Sequence, residues 1–175
     1  MMLFDHIETP VGALRIVCDE KGILRAVDFA GHDERYQLQL ERHYGIQRSD
    51  LHPASDPFGL SSLLRRYVAG EISVIDSIPV ETMGTEFQKE VWCALRRIPA
   101  GTTISYGELA RRIGRPSAVR AVGLANGSNP TCVVVPCHRV IGANGKLTGF
   151  GGGLHRKEWL LRHEAEHASP LFELK

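Results

Sequence analysis

The segment SYGELARRIGRPSAVRAVGLAN, Ser105 to Asn126, decides the fold of the second half of this chain. Ser105-x-x-Glu108 has capping-box spacing, in which a hydroxyl accepts a first-turn N–H and the acid reaches back to the cap. A helix over 106–113 follows, with Leu109, Ala110 and Ile113 facing inward. Gly114-Arg115-Pro116-Ser117 breaks it, because proline lacks an N–H and glycine accepts the turn's backbone angles. Over 117–126, Ala118, Ala121, Val122 and Ala125 recur at i, i+3, i+4, i+7 while Arg120 projects elsewhere. Two short helices joined by a glycine-containing turn make a helix-turn-helix candidate, a pattern that any small helical packing unit shares.

Upstream, Thr85-x-x-Gln88 repeats the capping-box spacing ahead of Phe87, Val91, Leu95 and Ile98 on one helix face, which Pro99-Ala100-Gly101 ends. Between 85 and 120 the basic residues are Lys89, Arg96, Arg97, Arg111, Arg112, Arg115 and Arg120, against Glu86, Glu90 and Glu108. Such a face is either merely solvated or in contact with phosphates. The whole chain is nearly neutral at +1, but residues 1–84 carry 8 basic and 13 acidic side chains and residues 85–175 carry 13 basic and 7 acidic. Only the second half suits an anionic partner.

The first half reads as a small α/β unit. Residues 12–29 form a hairpin around Asp19-Glu20-Lys21-Gly22, and helices follow over 33–44 and 58–69. Asp76 to Gly84 lacks helical period and suits a last strand or a linker, so the boundary is placed near 80, giving domains 1–80 and 81–175. With 175 residues, 43% of them hydrophobic, the chain buries roughly two thirds of its unfolded surface, which excludes disorder as the default. No stretch approaches the roughly 18 apolar residues of a membrane span, and the first residues lack a leader pattern. A cytoplasmic protein with reduced Cys18, Cys93, Cys132 and Cys137 is expected.

Downstream, Asn129-Pro130 leads into Thr131-Cys132-Val133-Val134-Val135, a β-branched run that reads as a buried strand ended by Pro136. Cys137-His138-Arg139 then sits where regular pairing stops, and the neighbouring imidazole and guanidinium favour a thiolate over the unperturbed pKa of roughly 8.5. A buried cysteine with no chemistry is the competing reading, and Cys18, Cys93 and Cys132 take it. A zinc half-site from Cys132, Cys137 and His138 is disfavoured, since no paired C-x-x-C or H-x-x-x-H spacing supports it. Gly149-Phe150-Gly151-Gly152-Gly153 offers backbone N–H groups to a ligand but matches neither a Walker loop nor a dinucleotide fingerprint. On the helix after it, over 154–166, Trp159, Leu160 and Leu161 read as core, and Glu164 is placed to orient His138.

Pro136-Cys137-His138-Arg139-Val140 resembles the active-site motif of the O6-alkylguanine-DNA alkyltransferases. The resemblance extends to Gly84-Thr85-x-Phe87-Gln88, Ser105-Tyr106-Gly107, Ala118 to Gly123, Asn129-Pro130, Gly152-Gly153-Leu154 and Lys157 to Leu161, covering nearly all of 84–166 in order. It implies an α/β (α+β) protein with a ribonuclease-H-like N-terminal domain and a mainly helical, winged-helix-like domain for DNA binding and alkyl acceptance. The implied activity is irreversible, single-turnover transfer of an alkyl group from O6-alkylguanine in double-stranded DNA to Cys137, by a monomer without cofactor or metal. His138 would act as base through a bridging water, Glu164 would polarise it, and Tyr106 would protonate the leaving guanine. Arg120 would be the finger filling the stack of a flipped nucleotide, with Val119, Ala121 and Gly123 letting its helix approach the minor groove. Asn129 would brace the turn before the active site. The backbone at Val140 and Gly151 would hold the base edge, with Phe150 beside them.

Phe150 stands where many relatives carry Tyr, which removes a hydroxyl and leaves stacking. Neither the zinc site of animal members nor the further domain of the sensor variant is matched. Two rival functions start from the same residues: a lesion-binding regulator without transfer, which the presence of Cys137 disfavours, and a cysteine hydrolase using Cys137 and His138, which no nearby oxyanion motif supports.

Overall fold

A computed structural model describes residues 1–31, 33–150 and 153–168. The chain starts with β1 (Met2–Thr9), β2 (Gly12–Asp19) and β3 (Leu24–Phe29), an antiparallel meander. Gly12, at φ +116, permits the first tight turn, and Thr9 closes it by donating its hydroxyl to the Gly12 carbonyl at 2.6 Å. Asp19 holds the second turn by accepting the backbone N–H groups of Lys21 and Ile23, with Gly22 at φ +80. The hairpin expected over 12–29 is therefore present, and β1 extends it by a strand that the sequence reading did not assign. Only Ile7 of β1 is buried, so the strand lacks the inward alternation that would announce it.

Helix α1 (Asp33–Tyr44) follows, then β4 (Leu51–Pro53), parallel to β1, giving the sheet order β3-β2-β1-β4. Val17 and Ala26 on one sheet face pack with Tyr36 and Leu40 of α1. Leu14, Ile16 and Cys18 on the other face join α2 (Leu60–Val68) and the helical half in a single continuous core. A short 3-10 turn, Ile72–Ser77, replaces the irregular start of the expected linker, and Val80 then makes one parallel bridge to Leu24.

The helical half opens with α3 (Glu86–Leu95), whose capping box forms as the sequence predicts: Thr85 accepts from the Gln88 N–H at 3.1 Å and Gln88 accepts from the Thr85 N–H at 3.0 Å. α4 (Tyr106–Arg112) and α5 (Val119–Gly127) follow, the expected helix-turn-helix pair, both packed on α3. At α4 only half of the box forms. Ser105 accepts from the Glu108 N–H at 3.0 Å, while the Glu108 carboxylate pairs with Arg111 and Arg112. A two-residue parallel ladder joins β5 (Ile104–Ser105) to β6 (Val140–Ile141), and α6 (Leu154–His167) closes the described chain.

Residues 131–135 are not a strand. Thr131 bridges Val27 of β3, and the chain then coils, with the Val134 N–H on the Cys132 carbonyl and the Val135 N–H on the Thr131 carbonyl. Val133 sits at φ +71, an unfavourable angle for a β-branched residue. The β-branched run that suggested a strand is hydrophobic because the turn is buried on all sides, so burial has overridden propensity. No helix among the described residues is long and apolar enough to cross a membrane.

Candidate functional site

Cys137 opens the 3-10 turn Cys137–Arg139, with Cys137, His138 and Arg139 all buried. Two asparagines hold the backbone entering it. Asn129 donates Nδ2 to the Val135 carbonyl at 2.7 Å and accepts from the Thr131 N–H at 3.0 Å, so it ties the two ends of the turn. Asn126 on α5 donates Nδ2 to the Cys137 carbonyl at 3.3 Å, a tie between the second helix of the pair and the nucleophile that the sequence reading missed.

Behind this turn, Glu164 of α6 is fully buried. Its Oε1 lies 2.8 Å from Arg139 Nε and 3.0 Å from His138 Nε2; its Oε2 receives Arg139 Nη2 and the Tyr67 hydroxyl, each at 2.8 Å. Three hydrogen-bond donors and the edge of the His138 ring thus meet a group with about four lone-pair sites. Burial pushes the carboxyl's pKa up, but the His138 ring and the Arg139 guanidinium outweigh it and hold Glu164 well below the usual carboxylate range. The His138 to Oε1 contact is too oblique for a hydrogen bond, so neither ring nitrogen has a hydrogen-bond partner among the described residues. With Nε2 turned to a carboxylate, the lone pair falls on Nδ1, which is then the basic nitrogen.

The Arg139 guanidinium, expected to favour the Cys137 thiolate directly, is committed to Glu164 and to the Ile98 carbonyl at 2.7 Å. Lys157, which the sequence reading quoted only as part of a motif, is a buried cation within electrostatic reach of Cys137. Lys157 is fully buried, and its Nζ donates to the Val140 carbonyl at 2.6 Å and the Thr148 carbonyl at 2.7 Å. Burial brings its pKa down to about 8, against a smaller upward influence from Cys137. One signal for it was available: the buried face of α6 is Lys157, Leu160, His163 and Glu164, so two charges stand at i and i+7 around a leucine. Trp159 and Leu161, expected in the core with Leu160, are only half-buried.

Thr148 also links to Tyr106, the first residue of α4, whose hydroxyl donates to its carbonyl at 3.4 Å. Phe150 is half-buried against the core; Gly151 lies outside the described residues. On α5, Val119, Arg120 and Ala121 are exposed and Gly123 is half-buried, so Ala121 points outward rather than into the helix packing. Among the basic residues upstream, Arg96 caps the Ile75 and Ile78 carbonyls and Arg115 pairs with Glu90, while Arg120 has no hydrogen-bond or ion-pair partner among the described residues. A groove of about 860 Å³ beside α1 and β4 shares no residue with this cluster.

The 6-O-methylguanine DNA methyltransferase, DNA binding domain, matches residues 86–166. The chain is 53% identical to the methylated-DNA–protein-cysteine methyltransferase of Shigella flexneri, over 93% of this chain and 95% of that protein. It is 52% identical to the protein of the same name from Salmonella typhimurium, with the same coverage. Among solved structures, Mycobacterium tuberculosis OGT in complex with DNA superposes with a TM-score of 0.78 at 39% identity, covering 95% of this chain and 94% of that one. With a reduced cysteine set before a buried histidine–glutamate pair, and with such likeness running through both halves, the chain belongs to the methylated-DNA–protein-cysteine methyltransferase family.

Proposed function

We propose that this protein repairs double-stranded DNA by moving the alkyl group of O6-alkylguanine onto Cys137, once per molecule. The observation that carries the residue assignment is the fully buried His138–Glu164 pair, whose histidine directly follows the cysteine. In the reaction, Cys137 Sγ loses its proton through a bridging water to His138 Nδ1, and Glu164 and Lys157 stabilise the resulting imidazolium and thiolate. The thiolate attacks the alkyl carbon. An S–C bond forms, the C–O6 bond breaks, and O6 keeps the electron pair. Tyr106 gives a proton to the departing guanine and is reprotonated from His138 through solvent, so the thiol's proton ends on the base and a thioether stays on the protein.

The target carbon is inaccessible inside a duplex, so the nucleotide is extruded, at a cost of about a few kcal/mol. Arg120 fills the vacated stack, and the exposed Val119 and Ala121 with Gly123 let α5 lie along the minor groove. The base edge is read by the backbone at Val140 and Gly151, beside Phe150. The Val140 carbonyl, already bonded to Lys157, keeps a second lone pair for this. This reading also places the protein in the cytoplasm, as a monomer whose domains meet near residue 80. Incubation with DNA containing O6-methylguanine adds one methyl to the Cys137 peptide, stoichiometrically, as peptide mass spectrometry reads it. Methyl removal by C137A, or many lesions repaired per molecule, would contradict the proposal.

A further inference from the structure

Among the described residues, the N-terminal half contributes a single side chain to the relay behind Cys137. Tyr67, near the end of α2, is 1% exposed and donates its hydroxyl to Glu164 Oε2 at 2.8 Å. Its own backbone carbonyl lies 2.7 Å from His163 Nε2, and its ring meets the His163 ring edge-on. One residue of α2 is therefore fastened to two successive residues of α6, the second of which is the carboxylate facing His138.

We infer that Tyr67 is a positioning residue for alkyl transfer: its hydroxyl fixes the Glu164 carboxylate so that Oε1 stays on the His138 imidazole. The inference rests on the proposed roles of His138 and Glu164. The coordination explains the need for a second anchor. Arg139 grips both oxygens, and a carboxylate held only by that fork is free to slide along the guanidinium edge. The phenol pins Oε2 from the opposite half of the molecule. A neutral donor does so without adding a second positive charge, which would weaken the carboxylate's pull on the imidazole. The charged and titratable groups around the pair are Arg139 and His138 on the 3-10 turn, Cys132 near the Tyr67 hydroxyl, His163 beside its ring, and Lys157 on the Cys137 side.

Removing the hydroxyl has two opposed consequences. Charge concentrates on the carboxylate, which strengthens His138 as a base, and Oε1 loses its placement, which weakens it. Placement prevails, because the His138 contact is already oblique at 3.0 Å and depends on angle. A less stabilised imidazolium supports the thiolate less, so the thiol keeps its proton to higher pH.

The experiment follows Y67F, E164Q and the wild type across pH, using free O6-benzylguanine, duplex DNA containing O6-methylguanine, and iodoacetamide as a probe of the thiolate. Y67F is expected to slow both alkyl-transfer reactions about tenfold at neutral pH. Its rate profile and iodoacetamide profile are both expected to move upward by roughly one pH unit. A slower Y67F with unmoved profiles would show a structural role only and overturn the inference, as would a profile moved to lower pH. If E164Q is impaired and Y67F matches the wild type, the inference falls and the relay stands; if E164Q also matches the wild type, the relay itself falls. Should Y67F fail to fold, Tyr67→4-aminophenylalanine takes its place. Its neutral para nitrogen stands where the phenol oxygen does and donates to Oε2, so it keeps the wild-type profile, and an upward displacement would overturn the inference.

Discussion

Three hydrogen-bond donors and the His138 ring converge on Glu164, and that company sets what substitution does there. Glu164→Gln puts an amide where two donors point and leaves Arg139 buried without its counter-charge, so unfolding free energy should drop by roughly 3 kcal/mol, read by urea denaturation at pH 7. The folded carboxyl is held below its unfolded value of about 4.3, so the stability it confers is complete above that value and is lost as pH falls. The gap between wild type and E164Q should therefore narrow from neutral pH toward pH 3, and a constant gap would show that the charge is not what the pair contributes.

At the scale of elements, the buried turn 131–135 and α5 carry the next two predictions. Asn129 is the only side chain among the described residues bonded to both ends of the turn. Asn129→Ala leaves the buried Thr131 N–H unpartnered and takes one of two donors from the Val135 carbonyl, which the Cys137 N–H still reaches, at a cost of about 2 kcal/mol. Because Cys137 follows Val135 by two residues, the same change should slow reaction with free O6-benzylguanine as well as lowering the melting temperature. Unaltered kinetics would detach the turn from the site. Arg120 acts on a different step: Arg120→Ala should reduce repair of duplex DNA far more than reaction with free O6-benzylguanine, since it serves extrusion and not transfer. Equal losses on the two substrates would contradict that role.

Across the whole molecule, the two halves are joined by more than a linker. Tyr67 reaches Glu164, Thr131 bridges Val27 of the sheet, and Arg156 of α6 donates to the carbonyls of Val11 and Ala30. Their hydrophobic residues form one cluster, from Ile7 and Leu14 to Val122 and Leu160. A fragment of residues 81–175, although it carries the nucleophile, would expose half of that cluster. It is expected to lack a cooperative thermal transition and to react with O6-benzylguanine far more slowly than the full chain. A fragment that melts cooperatively and reacts at the full rate would show that the N-terminal half is dispensable.

Local chemistry is what the sequence carries. Capping hydroxyls, the i, i+3, i+4 spacing of α3 to α5, the turn residues at Asp19–Gly22 and the Cys137-His138 pair all act within a few residues of one another, so their consequences were legible before any packing was known. Glu164 could be named from its place in a motif, but not the company it keeps. Tertiary structure decided that Arg139 is bound to the carboxylate, that Lys157 is buried within electrostatic reach of Cys137, that a tyrosine 97 residues away completes the carboxylate, and that a β-branched run became a turn. Each of these depends on which groups meet once water is excluded. In that environment a buried charge must find every partner it needs, and the partners come from whichever segments the fold brings within about 3 Å.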